Sequence, residues 1–545
     1  MDAMSPDELV LAMQRLVDRV IRRLRLGSPP EPTVRRRFLI IQIDGLSREV
    51  LEHAVGAGRM PFLARLLARH TVRLTPMTVG MPTSTPAFQL ALMYGVRPDI
   101  PGFHYHDKRR GADIYFPRAG DAAFVEASQA GGCRGIVEGG STYGCVFTGG
   151  AVNNLFSFAV LKRPTGAGIL RAGSALVVLT WVLIKGFTLT VIELVRAVLR
   201  LAADPVGESR RGWKWLAIKV GLSVWVRQLF TLAVARDLYA GVPAIYVNYL
   251  DYDVFSHAYG PHSRRAVRAL RRIDASIRQL WGVVRRVPGH RYDLYVLSDH
   301  GQAATVPYQK LSGGAPIERV FFEQILPAAG GPAGEPPAAG APRGVASAIR
   351  GFRQREPGVF QRFVNYLERD FPWVLGEVPE ARQSHGVRVI AAGSNAFVYF
   401  TESVEPLTLA RIDQQFPGLV DELSRTRGVG FVLARSEAGP VCGWRGKRYV
   451  LNGDAVGPFA GRPDWPLTAE GLRDLMAMPS AGDLVIYGNG TPDGNVSYIP
   501  EAGAHAGPWP EELHCFIVSP AGVTLPAPLT HPTQLYPHFL QYQKG

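Results

Sequence analysis

Cysteine is scarce in this chain of 545 residues: only Cys133, Cys145, Cys442 and Cys515 occur, and no two form a C-x-x-C pair. That spacing does not indicate a structural zinc knuckle, and so low a density does not look like a secreted disulfide framework. Free thiols in a reducing compartment are expected. Charge is also modest, at 19% of residues against 47% hydrophobic, which argues against disorder and leaves material for a large core. Acids are the minority within that charge, 46 Asp and Glu against 60 Lys and Arg, for a net +14. Such an excess suits an anionic partner: a phosphorylated substrate, nucleic acid or an acidic membrane surface. Specific nucleic-acid binding is not expected, because no C2H2 finger, RNP motif or P-loop is present.

The first residues do not read as an uncharged leader either. Residues 1–30 begin with a segment that mixes apolar and charged residues, and Leu9, Met13, Leu16, Val17, Val20 and Leu24 recur at helical spacing. This is expected to be an amphipathic basic helix and does not read as a signal peptide. It reads as a packing arm or as a membrane-surface helix, so the chain is expected to be cytoplasmic, with peripheral membrane attachment as the alternative. Gly27 to Pro32 then reads as a linker.

What the chain does have is a set of short apolar runs ending in acids. FLIIQIDG ends in Asp44-Gly45, AIYVNYLDYD in Asp251 and Asp253, and YDLYVLSDHG in Asp299-His300-Gly301. Such runs, separated by helical stretches, predict a mostly parallel sheet covered on both faces. Ligands of such sheets collect beyond the carboxyl ends of the strands, where all three acidic tips would lie.

Each tip offers chemistry. Asp253 and His257 stand four apart, and carboxylate oxygen with imidazole nitrogen is a ligand mix that zinc accepts. Gly260-Pro261 then redirects the chain into an Arg-rich helix. Asp299 and His300 can bind one ion if a tight turn brings them round. Gly45 lets the backbone pass close to an ion. His505 sits among small residues in Gly503-Ala-His-Ala-Gly507. Pro82-Thr83-Ser84-Thr85-Pro86 places hydroxyls before a helical run, where backbone N–H groups favour anions. Thr85 coordinated to a metal would be an activated nucleophile; the plainer reading makes Ser84 or Thr85 a helix cap.

The order of these motifs resembles the alkaline phosphatase superfamily, in its type I phosphodiesterase/nucleotide pyrophosphatase branch. Met60-Pro61-Phe62-Leu63 is similar to that branch's helix start after its Asp-Gly. Pro82-Thr-Ser-Thr85, Gly95-Val-Arg-Pro98 and Pro101-Gly102-Phe103 follow its P-T-x-T series, and Asp253 to Pro261 its D-x-x-G-H-x-x-G-P, with Ser256 for Gly. The likeness covers Phe38 to Arg110, Pro243 to Gln302 and, more loosely, Ser394 to Pro520.

It implies an α/β fold with a mostly parallel sheet sandwiched between helices, plus a helical insertion and a smaller α+β insertion. It also implies a two-zinc site, with manganese as the runner-up metal. Asp44, Thr85, Asp299 and His300 would surround one ion, and Asp253, His257 and His505 the other. Thr85 would attack phosphorus to give a phosphothreonine, which water would then release. The substrate would be a small phosphorylated molecule, a nucleotide or a phospholipid derivative.

Two departures mark the substrate side. Ser84 replaces the branch's Lys before the nucleophile, and Phe88 stands where an Asn holds a phosphoryl oxygen. Asn153, Asn154 or the backbone around Gly139-Gly140-Ser141 are the candidate replacements. Rival activities within the superfamily are a phosphomonoesterase, a phosphoglycerol-type transferase and a phosphomutase. The non-enzymatic rival is a membrane-associated scaffold on a degenerate hydrolase fold. The type I sulfatase motif is absent around Thr85.

The expected layout is a catalytic domain in three pieces, 33–150, 241–310 and 386–545, interrupted at 151–240 and 311–385. The first interruption holds Ala172 to Ile192, apolar but for Lys185, and then Trp213 to Leu232, where tryptophans mix with basic residues. A buried cap over the site, a membrane-contacting hairpin and a bilayer span are the readings of this region. The second interruption contains the flexible stretch Pro327 to Pro342.

Overall fold

The computed structural model describes residues 36–155, 187–188, 190–191, 225–287, 290–332, 382–384 and 386–543. The basic helix and linker expected over 1–32, most of the apolar region 172–232, and the Pro/Gly/Ala-rich stretch beyond Pro332 lie outside the described residues.

The chain is a mixed α/β molecule. Its central seven-stranded sheet runs from edge to edge as Val72–Thr78, His514–Pro520, Arg291–Leu297, Arg36–Ile43, Ala244–Tyr249, Ser141–Tyr143 and Asn153–Leu155. Arg36–Ile43 pairs in parallel with the strands on both its sides. Parallel pairing continues outward through Ser141–Tyr143 to Asn153–Leu155. Only His514–Pro520 runs against its neighbours.

A strand's period of two sends alternate side chains to opposite faces, and both faces here are dry. Phe38 and Ile40 join a core with Leu90, Met93, Leu472 and Phe539. Leu39, Ile41 and Ile43 join another with Leu51, Leu63, Phe230, Ile273 and Leu280. The second core belongs to helices Arg48–Gly56, Pro61–Ala68, Arg227–Ala240 and Arg264–Arg286. Pro61 opens its helix at a position where the missing N–H costs nothing.

A second seven-stranded sheet, wholly antiparallel, spans Arg382 to Tyr487. One of its faces packs Val389, Val398 and Ile486 against Phe321, Ile412 and Leu423. The buried Lys108 Nζ joins the two units, 2.9 Å from Asp483. Ser394 adds a tie, donating to the backbone oxygen of His505 at 2.7 Å. A small sheet of Asn495–Ser497, Ala303–Pro307 and Gly503–Ala504 fills the junction. Because Ala303–Pro307 follows directly on Asp299-His300-Gly301, pairing Gly503 with Ala304 delivers His505 to the same edge of the central sheet.

Among the described residues no helix is long and apolar enough to cross a membrane.

Candidate metal centre

Asp44 leaves the tip of Arg36–Ile43 and is buried, held by Asn248 Nδ2 donating to its Oδ2 at 2.6 Å. Gly45 follows at φ +72°, and a Cβ there would lie 2.5 Å from Asp253 Oδ1, so only glycine lets the two tips approach. Ser298 Oγ accepts from Leu46 N at 3.0 Å and donates to His300 O at 2.9 Å, fixing the turn at the neighbouring tip. In that turn Asp299 and His300 are fully buried. Their side chains come round to the same place, with His300 Nε2 3.5 Å from Asp299 Oδ2 and 3.5 Å from Asp44 Oδ1.

Thr85 is the first residue of helix Thr85–Tyr94. Its Oγ1 lies 3.4 Å from Asp44 Oδ1 and 3.2 Å from His300 Nε2. Ser84 occupies the N-cap position with extended backbone, yet its side chain makes no capping bond. The Ser84 Oγ is buried with no hydrogen-bond partner among the described residues.

Asp253 and His257 lie on helix Asp251–Tyr259, where a spacing of four puts them on one face, Oδ2 to Nε2 at 3.3 Å. The rings of His300 and His505 stack at 3.8 Å. The ligand-type atoms fall into two groups, Asp44–Asp299–His300 and Asp253–His300–His505, each within 4.8 Å. His257 borders the second group through Asp253, its ring 5.1 Å from that of His505.

The three imidazoles share an orientation. Nδ1 of His300 contacts Gly301 O at 3.0 Å, that of His505 contacts Thr83 O at 2.8 Å, and that of His257 contacts Gly503 O at 2.9 Å and the Glu501 carboxylate. Hydrogen bonds of this kind hold the proton on Nδ1 and leave Nε2 as the donor atom.

The electrostatics match this arrangement. Burial, with Asp299 and Asp253 nearby, holds the Asp44 carboxyl well above the usual range. Burial, with Asp253 adding to it, pushes Asp299 up to about 7. Burial pulls His300 down to about 4 and, with the other two imidazoles, His505 down to about 3, so both rings are neutral at neutral pH, the form that a metal requires. His257 is lowered by burial but raised further by Glu501 and Asp253, and ends well above its ordinary value.

A divalent cation fits these residues. Asp299 Oδ2 is buried with no hydrogen-bond partner among the described residues, and three carboxylates crowd one small volume. Buried like charges at such density need a compensating positive charge. Carboxylate oxygens with imidazole nitrogens are donors that first-row divalent metals accept.

The remaining candidate residues sit apart. Phe88 is buried in the apolar core. Asn153 and Asn154 lie on the outermost strand, where they bond Ser141 at 3.3 Å and Thr142 at 2.6 Å. Sequence reasoning missed Asn248, Gln302 and Glu501. A polar residue within the apolar run AIYVNYL was a usable signal for Asn248. Gln302, which donates to Asp253, directly follows the Asp-His-Gly motif. Nothing local marks Glu501.

Residues 200–329 match the family model of type I phosphodiesterase / nucleotide pyrophosphatase. The match bears out the resemblance to that branch, and with it the reading of the chain as a hydrolase acting on phosphoric ester bonds. Among solved structures the chain is similar to phosphonoacetate hydrolase from Sinorhizobium meliloti 1021 in complex with phosphonoacetate. Identity there is 14%, coverage is 93% of this chain and 96% of that one, and the TM-score is 0.45. For the same enzyme in complex with phosphonoformate, identity is 15%, coverage 93% and 96%, and the TM-score 0.44. No curated protein matches the chain.

Proposed function

We propose that the chain hydrolyses phosphodiester or pyrophosphate bonds of a small phosphorylated substrate, through Thr85 as nucleophile at a two-zinc site. The observation that carries this reading is the Thr85 hydroxyl itself, at the start of a buried helix and within 3.4 Å of both Asp44 and His300. Asp44, Asp299 and His300 would hold one ion, and Asp253, His257 and His505 the other. When bound, the metals would lower the pKa of the hydroxyl and offset charge on the phosphoryl group.

The chain's own residues supply the rest. Thr85 Oγ attacks phosphorus in line as its hydroxyl proton passes to solvent, a P–O bond forms, and the P–O bond to the leaving group breaks, the departing oxygen taking up a proton from solvent. Water then attacks the phosphothreonine and restores the hydroxyl. Ser84 Oγ, next in sequence and without a hydrogen-bond partner among the described residues, can donate to a non-bridging phosphoryl oxygen, the task for which Phe88 has no polar atom.

The test combines metal analysis of protein purified without chelator with turnover of bis-p-nitrophenyl phosphate. About two equivalents of zinc are expected, and Thr85→Ala should fold but lose at least about 10³-fold in rate. Thr85→Ser should retain more activity, and Ser84→Ala should be milder. Less than half an equivalent of transition metal, with no gain from added zinc or manganese, overturns the metal assignment. An active Thr85→Ala beside an inactive Ser84→Ala moves the nucleophile by one residue.

A further inference from the structure

Helix Arg264–Arg286 does more than cover the sheet. Ala266, Ala269, Leu270, Ile273, Ile277, Leu280 and Val283 are buried. The exposed positions are Arg264, Arg268, Arg271, Ala275, Arg278, Arg285 and Arg286, which steps of three and four place in one stripe. Arg264, Arg268, Arg271, Arg278 and Arg285 make no salt bridge among the described residues. The helix's single acid, Asp274, is buried and accepts from the N–H groups of Phe62 and Leu63 at 2.9 Å. A 23-residue helix is about 34 Å long, so Arg264, Arg268, Arg271, Arg278 and Arg285 form an extended line of cations along it, with no salt bridge to any of the five among the described residues.

We propose that this stripe docks the protein on an anionic lipid surface. Its geometry favours a bilayer over a nucleic acid. One face of the helix is packed in the core, so its arginines form a single outer row suited to a plane, whereas reading a major groove about 12 Å wide takes a helix inserted into it. The neighbouring helix Arg227–Ala240 is tied to it by Arg227 Nη1 donating to Ser276 Oγ at 3.1 Å. Just before that helix, Trp225 Nε1 donates to Thr190 Oγ1 at 3.1 Å and holds a short segment on which Phe187 and Val191 are exposed. Cationic side chains with exposed apolar ones on an adjacent element are the combination that an interfacial site requires. The stripe also begins next to Gly260-Pro261, which leads out of the helix bearing Asp253 and His257, so the docked face would reach the rim of the metal centre. Docking rests on surface charge and does not depend on the proposed hydrolysis.

The test uses the full chain and flotation with vesicles of phosphatidylcholine alone or with a third of phosphatidylglycerol. The wild type should float only with the anionic vesicles, and less so as salt rises, because the attraction is screened over about 10 Å at 0.1 M. Replacing Arg264, Arg268, Arg271, Arg278 and Arg285 with Gln should weaken partitioning at least about tenfold while leaving the thermal unfolding midpoint unchanged. Equal flotation with neutral vesicles, or undiminished flotation of the five-fold variant, overturns the proposal. So does binding of duplex DNA without flotation.

Discussion

The two halves of the candidate metal centre are built differently. Asp44, Thr85, Asp299 and His300 come from two adjacent strand tips and one helix N-terminus, and all four are buried. Asp253, His257 and His505 come from a helix and a distant loop, and the side chain of His257 is 28% exposed. The first half is fixed by parallel pairing of the central strands, and Gly45 lets it approach Asp253 of the second. The second depends on the small junction sheet and on Ser394 of the antiparallel sheet holding the backbone of His505. Rigidity in one half comes from the central sheet, and in the other from tertiary contacts that mutations can loosen one at a time.

The largest expected effect separates the halves directly. Asp299→Asn should remove the metal of the buried half and reduce turnover by at least about 10³-fold. His505→Ala should lower metal content to about one equivalent, with the remaining ion bound by the buried half. Metal analysis and phosphodiester turnover read both. Loss of both metals in His505→Ala, at unchanged thermal stability, would break the division into two halves.

A smaller effect sharpens the division. The Glu501 carboxylate contacts His257 Nδ1 and so helps set which nitrogen faces the site. Removing such an outer partner costs about 10- to 100-fold in metal affinity. Glu501→Gln should therefore weaken one of two metal-binding steps in a titration with zinc and leave the other unchanged. Weakening of both steps equally would show that the halves are coupled through His300, which both groups share.

The smallest effect concerns the loop that carries His505. Glu512 is buried and accepts from Gly507 N and Asn489 Nδ2, at 2.6 and 2.7 Å. Burial raises its carboxyl to about 8. The folded state then keeps a proton that the unfolded chain releases near its ordinary value. This contribution to stability is complete below about pH 4.5 and is lost as pH rises towards 8, at no more than about 1.4 kcal/mol per pH unit. In chelator-treated protein, denaturant titrations from pH 5 to 8 should show a steeper decline for wild type than for Glu512→Gln. Equal slopes would mean that Glu512 stays charged in the fold.

Much of this was legible in the residues themselves. An apolar run that ends in an acid records a buried strand and the polar group at its tip, because both are local properties. Asp44-Gly45, Asp299-His300 and Asp253 with His257 could therefore be found one by one, and the mostly parallel sheet follows from the same runs. Convergence was not local. Thr83 O and Gly503 O orient two imidazoles with backbone atoms, which carry no residue-type signal. Glu501 reaches His257 across 244 positions. The strand HCFIVSP has the same apolar character as the parallel strands, and only the folded sheet sets its opposite direction. Composition and periodicity fixed which side chains could bind a cation and which strands would be buried. Which nitrogen of each histidine points inward, and which carboxylate stands behind His257, were decided by the packing of chain segments hundreds of residues apart, because hydrogen-bond direction depends on three-dimensional approach and not on sequence spacing.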